Sequence, residues 1–534
     1  MNDYRYFGAM IDCSRNAVLK VSAVKQMIDA LQRMGYNALE LYTEDTFEVQ
    51  DEPYFGYLRG RYTGAEIREI DEYAKAHGIE LIPCIQTLAH FTNPVKLSRF
   101  NEITDINDIL LIDDEKTYAF IERIFSTLAE NFTSRNVNIG MDEAHMVGLG
   151  KYLDQHGYSD RFEILNRHLE RVVKIASKYG FKAHMWSDMF FRLAAKGDYY
   201  GHDVQIPSEV TDKIPDVALA YWDYYHTEEN HYDAMIALHQ KFGREIWFAG
   251  GAWTWGGFAP QTRYAYATMK SAMCSVKKHG IKNVLITLWG DNGGECPPFA
   301  VLQVLYSLRR YADGEYDDSK ISAEFEDRFG VTRADLDLLE LPDIMPDNTD
   351  INRLVNPSKA LLYSDPFMGI YDVAVSARMP IPYAQYAQKL AEAKKRAGEF
   401  SYLFETAQKL CEFMDLKAYL GVRTRAAYRE GDKKKLAELV KDFTEAGKRL
   451  QTFFDAFAAQ WEKINKPFGF EVHCARLGGV KQRLAYCCNR LELFLSGRID
   501  RIEELEEAML PLFPEAPNSL FLNDYRRLIS TSEI

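Results

Sequence analysis

The 534-residue chain lacks the marks of several protein classes. Its opening stretch, MNDYRYFGAMIDCSRN, has no basic segment followed by an apolar one, and no later run approaches the roughly 18 apolar residues of a membrane span. Neither a secretory leader nor a spanning helix is expected, and the chain reads as cytoplasmic. The eight cysteines (13, 84, 274, 296, 411, 474, 487, 488) form no C-x-x-C pair. Reduced structural thiols are the expectation in a chain too large to need staples. Basic tracts are also missing: 64 Lys and Arg face 78 Asp and Glu, for a net charge of -14. That balance argues against a nucleic acid or an anionic membrane as partner. Internal repeats and low-complexity tracts are absent too. Apolar residues are not scarce, at 47%, so a disordered chain is excluded.

Aromatic residues are plentiful, at 13%. The length implies two or three domains. Over the first 300 residues, short apolar runs alternate with amphipathic helical patterns, eight times. The runs are residues 7–12, 37–42, 79–85, 137–140, 182–186, 217–222, 245–251 and 283–289. Between them, helical periodicity fits 21–35, with Val21, Val24, Ile28 and Leu31 on one face and Gly35 as C-cap, and then 64–77, 115–132, 161–179, 229–242, 262–279 and 298–311. No G-x-G-x-x-G follows the first run, so an α/β fold of the (β/α)8 TIM-barrel type is expected rather than an open doubly wound sheet. The catalytic barrel is assigned to residues 1–330.

Six prolines from Pro342 to Pro382 interrupt the pattern, which reads as a linker or crossing segment over 331–380. An all-α C-terminal domain is assigned to 381–534, with helical periodicity around 384–420, 433–465, 476–496 and 499–510. NKPFGFEVHCARLGG (465–479) reads as a loop between helices, one that either stays local or returns to the barrel mouth. Residues 381–534 hold 25 basic and 22 acidic side chains, so the acidic excess belongs to the first 380 residues.

In a (β/α)8 enzyme the reacting groups stand at the C-terminal ends of the strands. Those ends offer Asp12 and Arg15, then Thr43, Glu44 and Asp45, then His90, then Asp142, Glu143 and His145. Later ends offer Trp186 and Asp188, Trp222 to Tyr225, Trp253 and Trp255, and Trp289 with Asp291. Five of the seven tryptophans therefore converge on one mouth. Flat aromatic walls interspersed with carboxylates and one Arg suit a pyranose ring, whose C–H faces stack on indoles while its hydroxyls meet charged groups.

Asp142 and Glu143 are chain neighbours, and neighbours on an extended strand cannot flank a glycosidic bond at the roughly 5–5.5 Å spacing of an ordinary retaining glycosidase. GGAWTWGG after the seventh run holds no carboxylate to serve as nucleophile. Substrate assistance remains: a 2-acetamido oxygen attacks C1, one carboxyl protonates the leaving oxygen, and its neighbour holds the acetamido N–H.

NIGMDEAH resembles the Gly-x-Asp-Glu signature of glycoside hydrolase family 20, the exo-acting β-N-acetylhexosaminidases. MIDCSRN resembles that family's Asp-x-x-Arg, LYTED its second-strand acidic turn, IPCIQTLAHF its Pro…His segment, and LWGDNGGE its eighth-strand Trp and acid. The resemblance implies hydrolysis of terminal β-linked N-acetylglucosamine or N-acetylgalactosamine with retention, through an oxazolinium intermediate. It implies Glu143 as general acid/base and Asp142 as the acetamide-orienting residue. Arg15 and Asp291 would bind outer hydroxyls, with Glu44 and His90 in support. Trp186, Trp222, Trp253 and Trp289 would line the sugar site, and Tyr224 would replace a seventh-strand Tyr that bonds the acetamido oxygen. Three departures stand out: Ile139-Gly140-Met141 precedes the pair where His-Gly-Gly is usual, the seventh strand offers WTW, and the chain starts at the first strand without the α/β domain that often precedes the barrel.

No cofactor and no metal are expected, and the partner is an N-acetylhexosamine-terminated oligosaccharide or glycoconjugate; a homodimer is compatible with the sequence. Two rivals share the architecture. A metal-dependent barrel hydrolase or sugar isomerase has His90, His145, His184 and Asp188 available, but no His-x-His follows the first strand and no Lys ends one. A non-catalytic carbohydrate-binding barrel would use the same aromatics but has no need of paired carboxylates.

Overall fold

The computed structural model describes residues 4–532. Two compact units make up the chain: residues 1–251, 265–289 and 305–316 form the first, and 252–264, 290–304 and 317–534 the second.

The first unit holds eight parallel strands: β1 (Tyr6–Asp12), β2 (Ala38–Tyr42), β3 (Glu80–Cys84), β4 (Asn136–Asn138), β5 (Lys182–Trp186), β6 (Ala218–Trp222), β7 (Ile246–Gly251) and β8 (Asn283–Leu288). Each pairs with its chain neighbours, and β8 closes on β1 from Tyr6↔Asn283 to Ile11↔Leu288. This is the expected (β/α)8 barrel, with strand bounds within about two residues of the apolar runs. Strands buried on both faces read as continuous apolar runs, which is why they were legible.

The intervening helices owe their ends to local chemistry. In α1 (Val21–Met34), Val24, Ile28 and Leu31 are buried, and Gly35, at φ 82°, returns its N–H to Gln32 O. A Thr63/Glu66 capping box opens α2 (Gly64–Ala76). Asp114 and Asp160 cap α3 (Glu115–Asn131) and α4 (Arg161–Lys178) through their carboxylates.

The barrel interior combines an apolar cluster with one polar pair. Met10, Ala38, Tyr42, Ile82, Cys84, Trp186, Ala220, Trp247, Ala249 and Leu285 pack together, with Trp222 and Trp289 against them. Below them, His184 Nε2 is 2.9 Å from Glu40 Oε1, Asn138 donates to Glu40 Oε2 at 3.3 Å, and Trp247 stacks on His184 at 4.3 Å. Burying charge without a partner is costly, so this pair is satisfied on both sides.

The second unit is dominated by helices, among them α5 (Tyr383–Lys394), α6 (Ser401–Lys417), α7 (Leu420–Arg429), α8 (Lys433–Ile464) and α9 (Phe470–Leu495). Two expectations are corrected. The stretch 384–420 is interrupted at Gly398, whose φ of 52° breaks the helix. The interhelical loop expected over 465–479 shrinks to 465–469, because α9 already begins at Phe470. His473, Leu477, Val480, Leu484, Cys487 and Leu491 recur at helical spacing and are buried. A Cβ added at Gly478 or Gly479 would meet nothing, so these glycines carry only their modest propensity cost, which the buried stripe outweighs.

None of the eight cysteines, all among the described residues, forms a disulfide. Among the described residues no helix is long and apolar enough to cross a membrane.

Candidate active site

β4 is only three residues long, and the backbone leaves it through an irregular turn. Gly140 and Met141 both have φ 71°, and Glu143 has φ 52°. A side chain at Gly140 would collide with the amide of Gln86. Left-handed backbone at Met141 and Glu143 costs about 1–3 kcal/mol each and persists only where surroundings dictate it. The turn sends the two neighbouring carboxylates into different environments.

Asp142 points inward and is buried. Gln86 Nε2 donates to its Oδ1 at 2.7 Å, and the same amide's oxygen accepts from Met141 N at 3.1 Å. His90 Nε2 lies 3.2 Å from Oδ2, an ion-pair distance off the line of a hydrogen bond. Burial alone would raise this carboxyl, yet His90 and the Gln86 amide hold it below the usual carboxylate range. Burial likewise opposes the charge on His90, but Asp142 and Glu44 overcome it and push the imidazole up to about 10.

Glu143 is the opposite case, its side chain 43% exposed. Its backbone N–H donates to Asp188 Oδ2 at 3.1 Å, Arg192 Nε donates to the same oxygen at 3.0 Å, and Arg192 Nη2 stands 3.6 Å from Glu143 Oε1. Asp188 is fully buried, and desolvation together with the charge of Asp142 pushes its carboxyl up to about 7.

Arg15 anchors the other flank. Its Nη1 pairs with Asp12 Oδ2 at 3.0 Å, and its Nη2 lies 3.6 Å from Glu44 Oε1. The guanidinium sits over the rings of Tyr42 and Trp289, 4.9 and 5.1 Å from their centroids. Tyr42 OH donates to Glu44 at 3.0 Å and accepts from Gln86 at 2.9 Å, so one chain of contacts links Arg15, Glu44, Tyr42, Gln86 and Asp142.

The aromatic residues divide into open and closed groups. Trp222 stacks on Tyr224 with centroids 5.6 Å apart, Trp289 Nε1 donates to Tyr224 OH at 3.0 Å, and Trp289 lies 6.0 Å from Trp186. Trp222 and Trp289 are partly exposed. Trp186 is 1% exposed, with an indole N–H that meets no partner.

Arg15, Glu44, His90, Asp142 and Glu143 therefore come together in the first unit, with Trp186, Trp222, Tyr224 and Trp289 as an aromatic wall. Trp253 and Asp291 belong to the second unit. Trp253 is 1% exposed, stacked on Trp255 at 4.3 Å and met edge-on by Tyr264 at 4.9 Å. As placed, both of its ring contacts are with aromatic neighbours of the second unit. The segment after Asp291 is gripped from α9: Arg476 donates to Asn292 O at 2.7 Å and His473 to Gly293 O at 2.9 Å. Both contacts lie within the second unit.

Sequence reasoning missed Gln86, Tyr42 and Arg192. Arg192 had a signal: Asp188 and Arg192 are four apart on a short helix (Asp188–Ala194) that starts at the end of β5, so they share a face. It also missed a cluster after β6, where Asp223, His226 and His231 bring potential ligand atoms within 4.8 Å of one another.

Comparison with known proteins identifies the family of the chain. The family model described as the catalytic domain of glycosyl hydrolase family 20 matches residues 4–231, and that of the glycoside hydrolase 20C C-terminal domain matches 335–521. Hexosaminidase D of Bos taurus is 23% identical over 299 residues, covering 53% of this chain and 78% of the relative. A β-hexosaminidase of Vibrio furnissii is 24% identical over 253 residues, 39% of this chain and 40% of the relative, so the match spans less than half of that protein. Among solved structures, the family 20 exo-β-N-acetylglucosaminidase of Vibrio harveyi, in complex with N-acetylglucosamine, aligns with TM-score 0.47 and 16% identity over 63% of this chain and 58% of that one. With its two family models together taking in more than three quarters of its length, the chain belongs to glycoside hydrolase family 20.

Proposed function

We propose that the protein is an exo-acting β-N-acetylhexosaminidase, working with retention by substrate assistance. The observation that carries this reading is the contrast between adjacent carboxylates. Asp142 is buried, clamped by His90 and Gln86 and kept anionic, whereas Glu143 projects toward solvent. Two carboxyls in such different settings suit two different tasks.

Asp142 accepts the acetamido N–H and steadies the positive charge that grows on nitrogen as the carbonyl oxygen closes on C1. A preorganised anion in a water-poor setting does this without reorganising during the reaction. Glu143 gives its proton to the glycosidic oxygen and then takes one from the water that opens the oxazolinium ring. Asp188 and Arg192 hold its backbone and head group in place. Arg15, Glu44 and Tyr42 offer charged and hydroxyl partners to the outer sugar hydroxyls. Trp222 and Trp289 supply apolar faces for the ring, and the unmatched indole N–H of Trp186 supplies a buried donor.

The partner on this reading is an N-acetylhexosamine-terminated glycan, and eight cysteines outside any disulfide fit the reducing cytoplasm. Aryl β-glycosides differing at C2 and C4 test it. Turnover should require the 2-acetamido group, and equal turnover of the 2-hydroxy glucoside would overturn the mechanism.

A further inference from the structure

The geometry points to a divalent transition-metal site, of zinc type, formed by Asp223, His226 and His231 just beyond β6. The proposal does not depend on the hydrolytic reading, since none of the three residues takes part in it. His226 Nδ1 lies 2.9 Å and His231 Nε2 3.0 Å from the same oxygen, Asp223 Oδ2. The two imidazole rings lie nearly parallel, with centroids 3.4 Å apart, so one ring must turn before both nitrogens address a single ion in their own planes. The ligands of a tetrahedral zinc ion, bound at about 2.0–2.1 Å, stand roughly 3.3 Å from one another. Each nitrogen stands near that distance from the Asp223 oxygen, and all three ligand atoms lie within 4.8 Å of one another, so the turn of one imidazole would admit the ion.

The surroundings are those of a supported site. His231 uses its other nitrogen, Nδ1, 2.8 Å from His202 Nε2. With Nε2 on a metal, Nδ1 carries the proton and donates it to His202, which fixes the tautomer as outer partners of metal-bound imidazoles do. Tyr221 OH donates to the same Asp223 Oδ2 at 2.8 Å, and the Tyr225 N–H donates to Oδ1 at 3.0 Å. Asp223 and His231 are buried while the His226 side chain is 28% exposed, which leaves an approach for the ion. Two imidazoles and one carboxylate favour zinc or a neighbouring transition ion over magnesium or calcium.

Asp223 sits between Trp222 and Tyr224 in the chain, so a bound ion would pin the turn that carries both rings. Its task is architectural. The signal in the sequence is D-x2-H-x4-H over 223–231, a spacing that does not match the usual zinc motifs.

The test uses the full chain, stripped with a chelator and titrated with zinc chloride, with stoichiometry read by elemental analysis and cobalt(II) substituted for its visible spectrum. The expected result is one zinc ion per chain, a higher melting temperature with zinc, and a cobalt spectrum of low coordination number. His226→Ala, at a partly exposed position, should keep the metal-free melting temperature and lose the ion. His202→Gln should weaken binding by about 10–100-fold. Absence of stoichiometric zinc in the wild-type chain would overturn the proposal. So would undiminished binding in both His226→Ala and Asp223→Asn, which would locate the ion elsewhere.

Discussion

The imidazole Nε2 of His90 stands 3.2 Å from Oδ2 of Asp142, a cation set against the carboxylate that the catalytic reading needs as an anion. His90→Asn should release that carboxyl upward. Asp142 now lies below its ordinary value, so its contribution to stability is present above about 3.9 and lost as pH falls through its folded value. His90 is raised to about 10, so its contribution is complete below about 6.5 and lost as pH rises through about 10. The variant should lose about 3–5 kcal/mol at neutral pH, as for a broken buried pair, and shift the acid limb of kcat/KM upward. Denaturant melts and a pH–rate profile check both; an unmoved acid limb would detach His90 from the chemistry.

Glu143→Gln should lower turnover of an aryl β-N-acetylglucosaminide by about 10²–10⁴-fold, since general acid assistance is worth that much. The loss should be largest for a poor leaving group and small for a dinitrophenyl one, which departs without a proton. Binding should persist, because the amide keeps the shape of the acid. Equal losses across leaving groups would argue against proton donation.

Asp188 makes a separate pH prediction. Its carboxyl is raised to about 7 by burial and by Asp142, so the stability it contributes is full below about 3.9 and is lost as pH rises through about 7. Asp188→Asn should flatten the fall in stability over that window while keeping an acceptor for the Glu143 N–H. Urea midpoints at a series of pH values decide it; a slope equal to the parent's would remove Asp188 from the pH dependence.

Two glycines give a matched pair. Gly140→Ala places a side chain against Gln86 in a left-handed backbone and should displace Asp142. A shift of about 1 Å costs on the order of 100-fold in rate. Gly479→Ala, inside α9 with open space around it, should stabilise by about 0.5–1 kcal/mol and leave activity alone. Thermal melts and kcat for both variants check the contrast.

The barrel was legible because its strands, from Tyr6–Asp12 to Asn283–Leu288, are buried on both faces and separated by helices with readable caps. The site was legible where residue types are rare at strand ends, as with Arg15, His90, Asp142, Glu143 and the tryptophans. It was not legible where a role depends on distance across the barrel. Gln86 looks like any polar residue after a strand, yet it bonds Tyr42, Met141 and Asp142 at once. Trp253 and Trp289 look alike in sequence, and only packing separates the buried ring from the partly exposed one. Glycines at 478 and 479 suggested a loop, but the stripe from His473 to Leu491 decides for a helix.

Inhibition by a thiazoline mimic of the cyclised acetamide tests the central claim most directly. Parent enzyme should bind it far more tightly than N-acetylglucosamine, because it resembles the species the site stabilises. Asp142→Asn should lose turnover and that tight inhibition together. A thiazoline no better than the free sugar, or one that inhibits Asp142→Asn as well as the parent, would contradict substrate assistance through Asp142.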